Sequence, residues 1–321
     1  MHTVQPAQRA DRFSVLSLTP APDSPFYRTQ VDSLAALNVD CETVSVPGRI
    51  DGSDPDANRS ASDYLAYFSR VRGALDDDHD VVHANFGLTA PHALAQRRAP
   101  VVLSLWGSDV FGQFGWLSKL CAPLCDAVIV MSDEMADALP CEATVVPHGV
   151  DLETFAPEPR DAARATLGWD SDGHHVLFPA PTTRPEKNFS RAERVVEAAR
   201  SRLDDRVVLH TPDGALPHDR MPTVMNAADA MVLTSRHEGS PNVVKEALAC
   251  NLPVVSTPVG DVPDRLDGVS PSAVSASDEG LVDALVRVLE TGARSNGRDA
   301  ARAVSVERTA ERYRAVYERV V

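Results

Sequence analysis

The stretch His237-Glu238-Gly239-Ser240-Pro241-Asn242-Val243-Val244-Lys245-Glu246-Ala247-Leu248-Ala249-Cys250 gathers residue types that can hold a phosphate and a sugar together. Ser240 followed by Pro241 reads as a helix start, with Ser as N-cap and Pro at the first helical position, where its missing N–H costs nothing. The amides of Asn242 and Val243 then lack partners within the helix. Such a start offers oriented donors and a partial positive charge, which favour a phosphate or diphosphate. Glu246 lies about 7.5 Å further along the axis, at about 1.5 Å per residue, which is a reach from a phosphate to a ribose. Glu238 precedes the cap on the other side of the Gly239 turn. Carboxylates are poor neighbours for phosphate and good acceptors for sugar hydroxyls. Two of them flanking an anion-binding helix start describe a ligand with hydroxyls at both ends and phosphates between, a nucleotide sugar. The competing reading is a solvated helix face.

The elements that must position these residues are short β-branched runs alternating with helical stretches. Runs at 15–18, 44–46, 81–83, 101–105 and 127–130 form one series, and runs at 175–178, 207–210, 230–233 and 253–256 form a second. Continuous apolar runs are what buried parallel strands look like, and their alternation with helices predicts an α/β chain of two Rossmann-like, doubly wound halves. The run 231–234 precedes Glu238, so the Glu238 loop is expected at a strand's carboxyl end, where open α/β sheets bind ligands. The Pro- and Gly-punctuated segment 146–157 reads as a hinge. The expected division is 1–150, 151–295 and a C-terminal helix over 296–321 that could pack across the domain interface. About ten loose residues are expected at the N-terminus and a solvated loop over 48–62.

The 321 residues carry 31 basic and 46 acidic side chains, a formal charge of −15, which argues against nucleic acid and an anionic membrane surface as partners. Only Lys119, Lys187 and Lys245 are lysines. An acid-rich chain with so little lysine resembles salt-adapted proteins, whose self-repulsion salt screens; an arginine bias from base composition is the alternative. The five cysteines form no C-x-x-C pair, so neither a disulfide framework nor a zinc site is indicated, and buried thiols are expected. No apolar run approaches the roughly 18 residues of a membrane span, and no signal-peptide core is visible, so a cytoplasmic protein is expected. The acidic run Asp76-Asp77-Asp78-His79-Asp80 contains a D-x-D pattern, read here as a charged surface turn rather than a metal site.

Glu238 to Glu246 matches the E-x7-E signature of retaining GT-B glycosyltransferases of family 4, and the block EGSPNVVKEALACNLPVVSTPVGDVPD resembles that family's C-terminal domain. PHGVDLETFAP is similar to its interdomain linker, and DVVHANFG and VVLSLWGSDV to its N-terminal strands. The resemblance implies a GT-B fold, two Rossmann-like domains facing a central cleft, and sugar transfer from a nucleoside-diphosphate donor to a hydroxyl acceptor, with retention of configuration and no resident cofactor or metal. Glu246 would hold the nucleotide ribose and Glu238 the transferred sugar, while Gly239, Ser240 and the amides of Asn242 and Val243 meet the donor. In TTRPEKN, Lys187 would neutralise the leaving diphosphate. Thr182 stands where the family carries arginine, and Arg184 is expected to substitute.

On the acceptor side the candidates are His83, Gly87, Trp106, Gly107, Asp109 and Tyr27, the last beside Phe26 and Arg28 in a first loop that lacks the family's glycines. Trp106 replaces a histidine that contacts the reacting sugar in family members. For His83 a half-buried strand-end role is the alternative, and for Asp109 a cap on the following turn. The apolar segment FGQFGWLSKLCAPL, 111–124, reads as a core helix, with a groove for a lipid-linked acceptor and peripheral membrane contact as the other reading. A polysaccharide or small-molecule acceptor fits equally. Two rival functions remain: a catalytically weakened GT-B protein that binds nucleotide or glycan, and a nucleotide-sugar epimerase. A dehydrogenase is disfavoured because no G-x-G-x-x-G follows the first strand.

Overall fold

The computed structural model describes residues 12–48, 59–212 and 218–321, so the expected loose N-terminus and most of the 48–62 loop lie outside the described residues. The chain divides into two units, one made of Met1–His148 with Val306–Val321 and the other of Gly149–Ser305.

The first unit holds six strands, β1 (Phe13–Thr19), β2 (Val39–Ser45), β3 (Val81–Ala84), β4 (Val101–Ser104), β5 (Ala127–Val130) and β6 (Thr144–Val145), in the order β2-β1-β3-β4-β5-β6. All neighbours are parallel, with Val15 opposite Val81 and Val82 opposite Val101. β3 and β4 are buried along their whole length, which explains their unbroken apolar character. The strand order reverses between β1 and β3, and a crevice is expected at their carboxyl ends.

The second unit holds β7 (His174–Leu177), β8 (Val207–His210), β9 (Ala230–Leu233), β10 (Val254–Ser256) and β11 (Ala273–Val274), again parallel, in the order β11-β10-β9-β7-β8. Successive side chains point to opposite faces. Val176, Val232 and Val255 enter one apolar core and Leu177, Met231 and Val254 the other. Its reversal falls between β7 and β9.

Three expectations need correction. The chain after 295 is not one helix: Gly297–Ala301 runs into a 3-10 turn at Arg302–Val304, and Val306–Val320 is separate. The break is at Ser305, whose extended backbone bridges Val150 in strand fashion. The last helix groups with the first unit, where Tyr313 and Tyr317 are buried in the core. The 111–124 segment packs as core on one face only: Cys121 and Ala122 join the core and Leu117 lies against it, whereas Phe111, Phe114, Trp116, Leu120 and Leu124 face outward. Of the five thiols, Cys121 and Cys250 are buried, whereas Cys41, Cys125 and Cys141 are only half-buried.

Candidate functional site

In the second unit the site is built where the two reversal strands end. After β7 the chain forms the turn Pro185–Lys187, closed by Asn188 in the left-handed region at φ 55°, a conformation Asn tolerates. After β9 it forms the loop 234–241. Backbone ties the two together: Arg236 N–H donates to the Glu186 carbonyl at 2.8 Å, and the Thr234 hydroxyl donates to the Asn188 carbonyl at 3.1 Å. Across this seam Lys187 Nζ lies 2.5 Å from Glu238 Oε1, with both side chains largely buried. Ser235 Oγ donates to the same carboxylate oxygen at 2.7 Å.

The far end of the loop is held from below. Gly260 sits at φ 51°, and a Cβ there would meet the Gly239 carbonyl oxygen at 2.1 Å, so glycine is required by both backbone conformation and space. Asp261 N–H donates to that carbonyl at 3.1 Å. Asp261 Oδ2 accepts from Ser240 Oγ at 2.7 Å and from Arg265 Nε at 2.9 Å. Ser240 Oγ in turn accepts from Lys245 Nζ at 3.1 Å.

Ser240 is therefore not the N-cap. The helix runs Asn242–Ala249 with Pro241 at the cap position, and no side chain caps it. The physical reason is that the Ser240 oxygen is already committed to Asp261 and Lys245. At this uncapped start Asn242 Oδ1 is buried with no hydrogen-bond partner among the described residues. A buried acceptor without a partner is costly, and a hydroxyl donor from a ligand would satisfy it.

Glu246 lies one turn into the helix and is almost fully enclosed. Burial pushes its carboxyl up to about 7, partly opposed by the neighbouring Lys245 ammonium. Burial likewise pushes Lys245 down to about 7, against the attraction of Asp261. Ligand hydroxyls donating to Glu246 would favour its charged form.

The structure thus places Glu238, Gly239, Ser240, Asn242, Val243 and Glu246 on one loop and the helix that follows it, and brings Lys187 to Glu238 from the turn after β7. It does not bring Arg184 to them. That guanidinium is exposed and pairs with Glu186, two residues further along the chain, at 2.5 Å. Sequence reading missed Ser235, Lys245, Gly260, Asp261 and Arg265. The last three lie in or beside the segment VGDVPD, whose resemblance carried no assigned role.

The first unit contains a cavity of about 450 Å³ at its own strand reversal. Thr19 ends β1, Asn85 follows β3, and Trp106 follows β4; all three line it, with Phe26, Tyr27, Asp109 and Phe114. Beneath it lies a buried polar network. Tyr27 Oη donates to Ser17 Oγ at 2.7 Å, Asn85 Nδ2 donates to Ser17 Oγ at 2.9 Å, and Gln30 Nε2 donates to Asn85 Oδ1 at 3.1 Å. Trp106 Nε1 donates to the Asn85 carbonyl at 2.9 Å, which stretches the indole across the ends of β3 and β4. Asp109 Oδ2 accepts from Trp106 N–H at 2.9 Å and so caps the helix Gly107–Phe111. Sequence reading missed Asn85 and its network; the signal was a polar residue directly after an apolar strand.

His83 does not reach the cavity. It is enclosed in the core, with Nε2 2.8 Å from Ser104 Oγ and Nδ1 2.8 Å from Tyr317 Oη, and burial pushes its pKa down to about 3. Gly87 is a packing glycine, since a Cβ there would meet Ser118 Oγ at 2.1 Å. Gly107 opens the short helix and has free space around it. Neither glycine lines the cavity. Among the described residues, no helix is long and apolar enough to cross a membrane.

Two family models match the chain, "Glycosyltransferase Family 4" over residues 3–154 and "Glycosyl transferases group 1" over residues 185–291. A putative teichuronic acid biosynthesis glycosyltransferase, TuaC, of Bacillus subtilis is 27% identical over 247 residues, 68% of this chain and 62% of that protein. The D-inositol 3-phosphate glycosyltransferase of Mycobacterium leprae is 32% identical over 217 residues, 56% of this chain and 50% of that protein. The chain thus spans between half and two thirds of the length of these relatives. Among solved structures, Anabaena Alr3699/HepE in complex with UDP and glucose superposes with a TM-score of 0.70 at 15% identity, covering 96% of this chain and all of that one. The two matched models, the two parallel sheets and the E-x7-E loop at the second reversal point agree, and the chain belongs to the family 4, group 1 glycosyltransferases of GT-B fold.

Proposed function

We propose that the protein transfers a hexose-type sugar from a nucleoside-diphosphate donor to a hydroxyl acceptor with retention of configuration, the second unit binding the donor and the first unit the acceptor. The observation that carries this reading is the Lys187–Glu238 pair at 2.5 Å, which joins the loops at the ends of β7 and β9 beside an uncapped helix start. Cleavage of the sugar–phosphate bond leaves negative charge on the diphosphate and an oxocarbenium-like sugar, and stabilising that departing charge is the main electrostatic task. In this reading Lys187 and the amides of Asn242 and Val243 meet the diphosphate, without a metal. Glu238 accepts from hydroxyls of the transferred sugar, and Glu246 accepts from the ribose. Tyr27, Trp106 and Asp109 belong to the acceptor cavity. His83, Gly87 and Gly107 support that region through packing and backbone, and Arg184 has no part in it.

The test is release of nucleoside diphosphate by the full chain from a panel of UDP-, GDP- and ADP-sugars, alongside the shift in melting temperature given by each free diphosphate. A ligand that binds only the native state raises the melting temperature. Transfer with at least one donor, together with a shift from its diphosphate, is expected; no shift from any diphosphate would end the proposal.

Trp106 favours a second reading, a family member that binds nucleotide or glycan with weakened catalysis, because an indole bonded to the Asn85 carbonyl occupies the place of the family's histidine. A diphosphate-induced shift without turnover on any donor would select it.

A further inference from the structure

The segment after β4 buries one face in the core and turns an apolar face outward. Phe111, Phe114, Trp116, Leu120 and Leu124 are 53%, 47%, 63%, 63% and 67% exposed. Trp116, Leu120 and Leu124 are spaced four apart along the helix Gly115–Cys121 and the turn Ala122–Leu124 that extends it, so they share one face. The opposite face, Gly115, Ser118, Cys121 and Ala122, is buried. Gly115 lies so close to the Val110 carbonyl that a Cβ would meet it at 2.3 Å. The helix is therefore seated flat, and its outer face cannot turn inward without rebuilding that contact.

The helix itself carries a single charge, and both signs appear only at its edge. From Val110 to Cys125 the only charged side chain is Lys119, in a chain of −15. The exposed Arg97 and Arg98 lie beside Leu124 around one shallow depression. Arg98 reaches Asp77 at 3.7 Å, and Asp126, at the same edge, accepts from the Val101 amide at 2.8 Å. Soluble proteins rarely leave a large contiguous apolar patch open to water. Aromatic and aliphatic groups interrupted only by Lys119, with Arg97 and Arg98 balanced at the edge by Asp126 and Asp77, match the boundary between acyl chains and anionic headgroups through that lysine. The net negative charge does not oppose this locally, since charges more than about 10 Å away are screened at 0.1 M salt. A two-fold contact between copies fits less well, because the same face would meet itself and Lys119 would find no acid within the segment to pair with.

We propose that this face is a docking surface for a lipid bilayer carrying anionic headgroups. Phe114 belongs both to the face and to the lining of the first unit's cavity, so a docked chain holds the cavity mouth at the lipid surface. The docking does not depend on the sugar-transfer reading, because it is measured without donor or acceptor.

The experiment is co-sedimentation of the full chain with vesicles of phosphatidylcholine alone and of phosphatidylcholine mixed with phosphatidylglycerol. Binding to the mixed vesicles is expected, with a blue shift of tryptophan emission. The double variant Trp116→Glu with Leu120→Glu should bind at least tenfold more weakly, and Lys119→Gln about fivefold more weakly on the mixed vesicles only. Both variants should keep the wild-type melting temperature, since the substituted side chains are solvent-facing. Absence of binding to either vesicle, or binding that the double variant leaves unchanged, overturns the proposal. So does dimerisation in sedimentation velocity that the double variant abolishes while vesicles go unbound, which would assign the face to a second copy.

Discussion

The reversal points of the two sheets are topologically alike and chemically opposite. Between β7 and β9 the second unit places ion pairs on clamped backbone, Lys187 on Glu238 and Arg265 on Asp261, with the Glu246 carboxyl enclosed one turn into the following helix and pushed up to about 7 by burial. Between β1 and β3 the first unit places aromatic rings over neutral hydrogen bonds among Ser17, Tyr27, Gln30 and Asn85. The contrast follows from what each would recognise. A diphosphate requires fixed positive charge and oriented amides, whereas a hydroxylated or apolar acceptor is held by shape and neutral donors.

Experiments can break this contrast at either end. The largest effect is expected at Lys187→Ala, which removes the cation beside the departing charge and should lower turnover about a hundredfold or more, equivalent to about 2.7–4 kcal/mol, with melting lowered as well because Glu238 loses its partner. Near-normal turnover measured with saturating donor would place the stabilising charge elsewhere. Next comes Glu246→Gln, which keeps shape and loses the carboxylate that ligand hydroxyls would hold in its charged form. Hydrogen bonds to charged groups contribute about 1.5–3 kcal/mol, so steady-state kinetics should show donor KM raised about tenfold or more, with little change in turnover.

In the first unit the expected effect is on stability. His83 has its pKa lowered from the ordinary 6.5 to about 3, so the folded state binds fewer protons than the unfolded one between those values. Its contribution is fully present above pH 6.5 and is lost as pH falls towards 3, with a slope of at most about 1.4 kcal/mol per pH unit. Denaturant melts of His83→Gln across that window should show a flatter acid limb than wild type; an identical limb would mean the histidine is not held neutral. The smallest effect is expected at Arg184→Ala. Its partner is Glu186 on the surface, and exposed pairs contribute about 0–1 kcal/mol. Turnover within about twofold of wild type should follow, and a loss rivalling that of Lys187→Ala would restore it to the donor site.

What could be read in advance followed the same divide. Strands β3, β4, β5, β7, β9 and β10 announce themselves because burial on both faces along nearly their whole length demands continuous apolar runs, whereas β8 is buried only at Val207. β6 and β11 are two residues long and too short for any periodicity. The donor loop was legible because carboxylates, glycine and proline at fixed spacing have few other uses. The misplaced N-cap shows the limit: Ser240 has the right residue type for capping, but its hydroxyl is claimed by Asp261 and Lys245, and Asp261 lies 21 positions further along the chain. Arg184 failed similarly, through its pairing with Glu186. The 111–124 segment misled because apolar content signals burial only when something covers it, and His83 because its enclosing partner, Tyr317, comes from the last helix.

That last helix has a consequence for how the molecule is made. Tyr313 and Tyr317 close over His83 and Ser104 in the first unit, yet they emerge from the ribosome only after the whole second unit. The first unit's sheet must therefore wait, with one flank unsealed, while the whole of Gly149–Ser305 is synthesised, and a chain cut before Val306 would leave that flank bare.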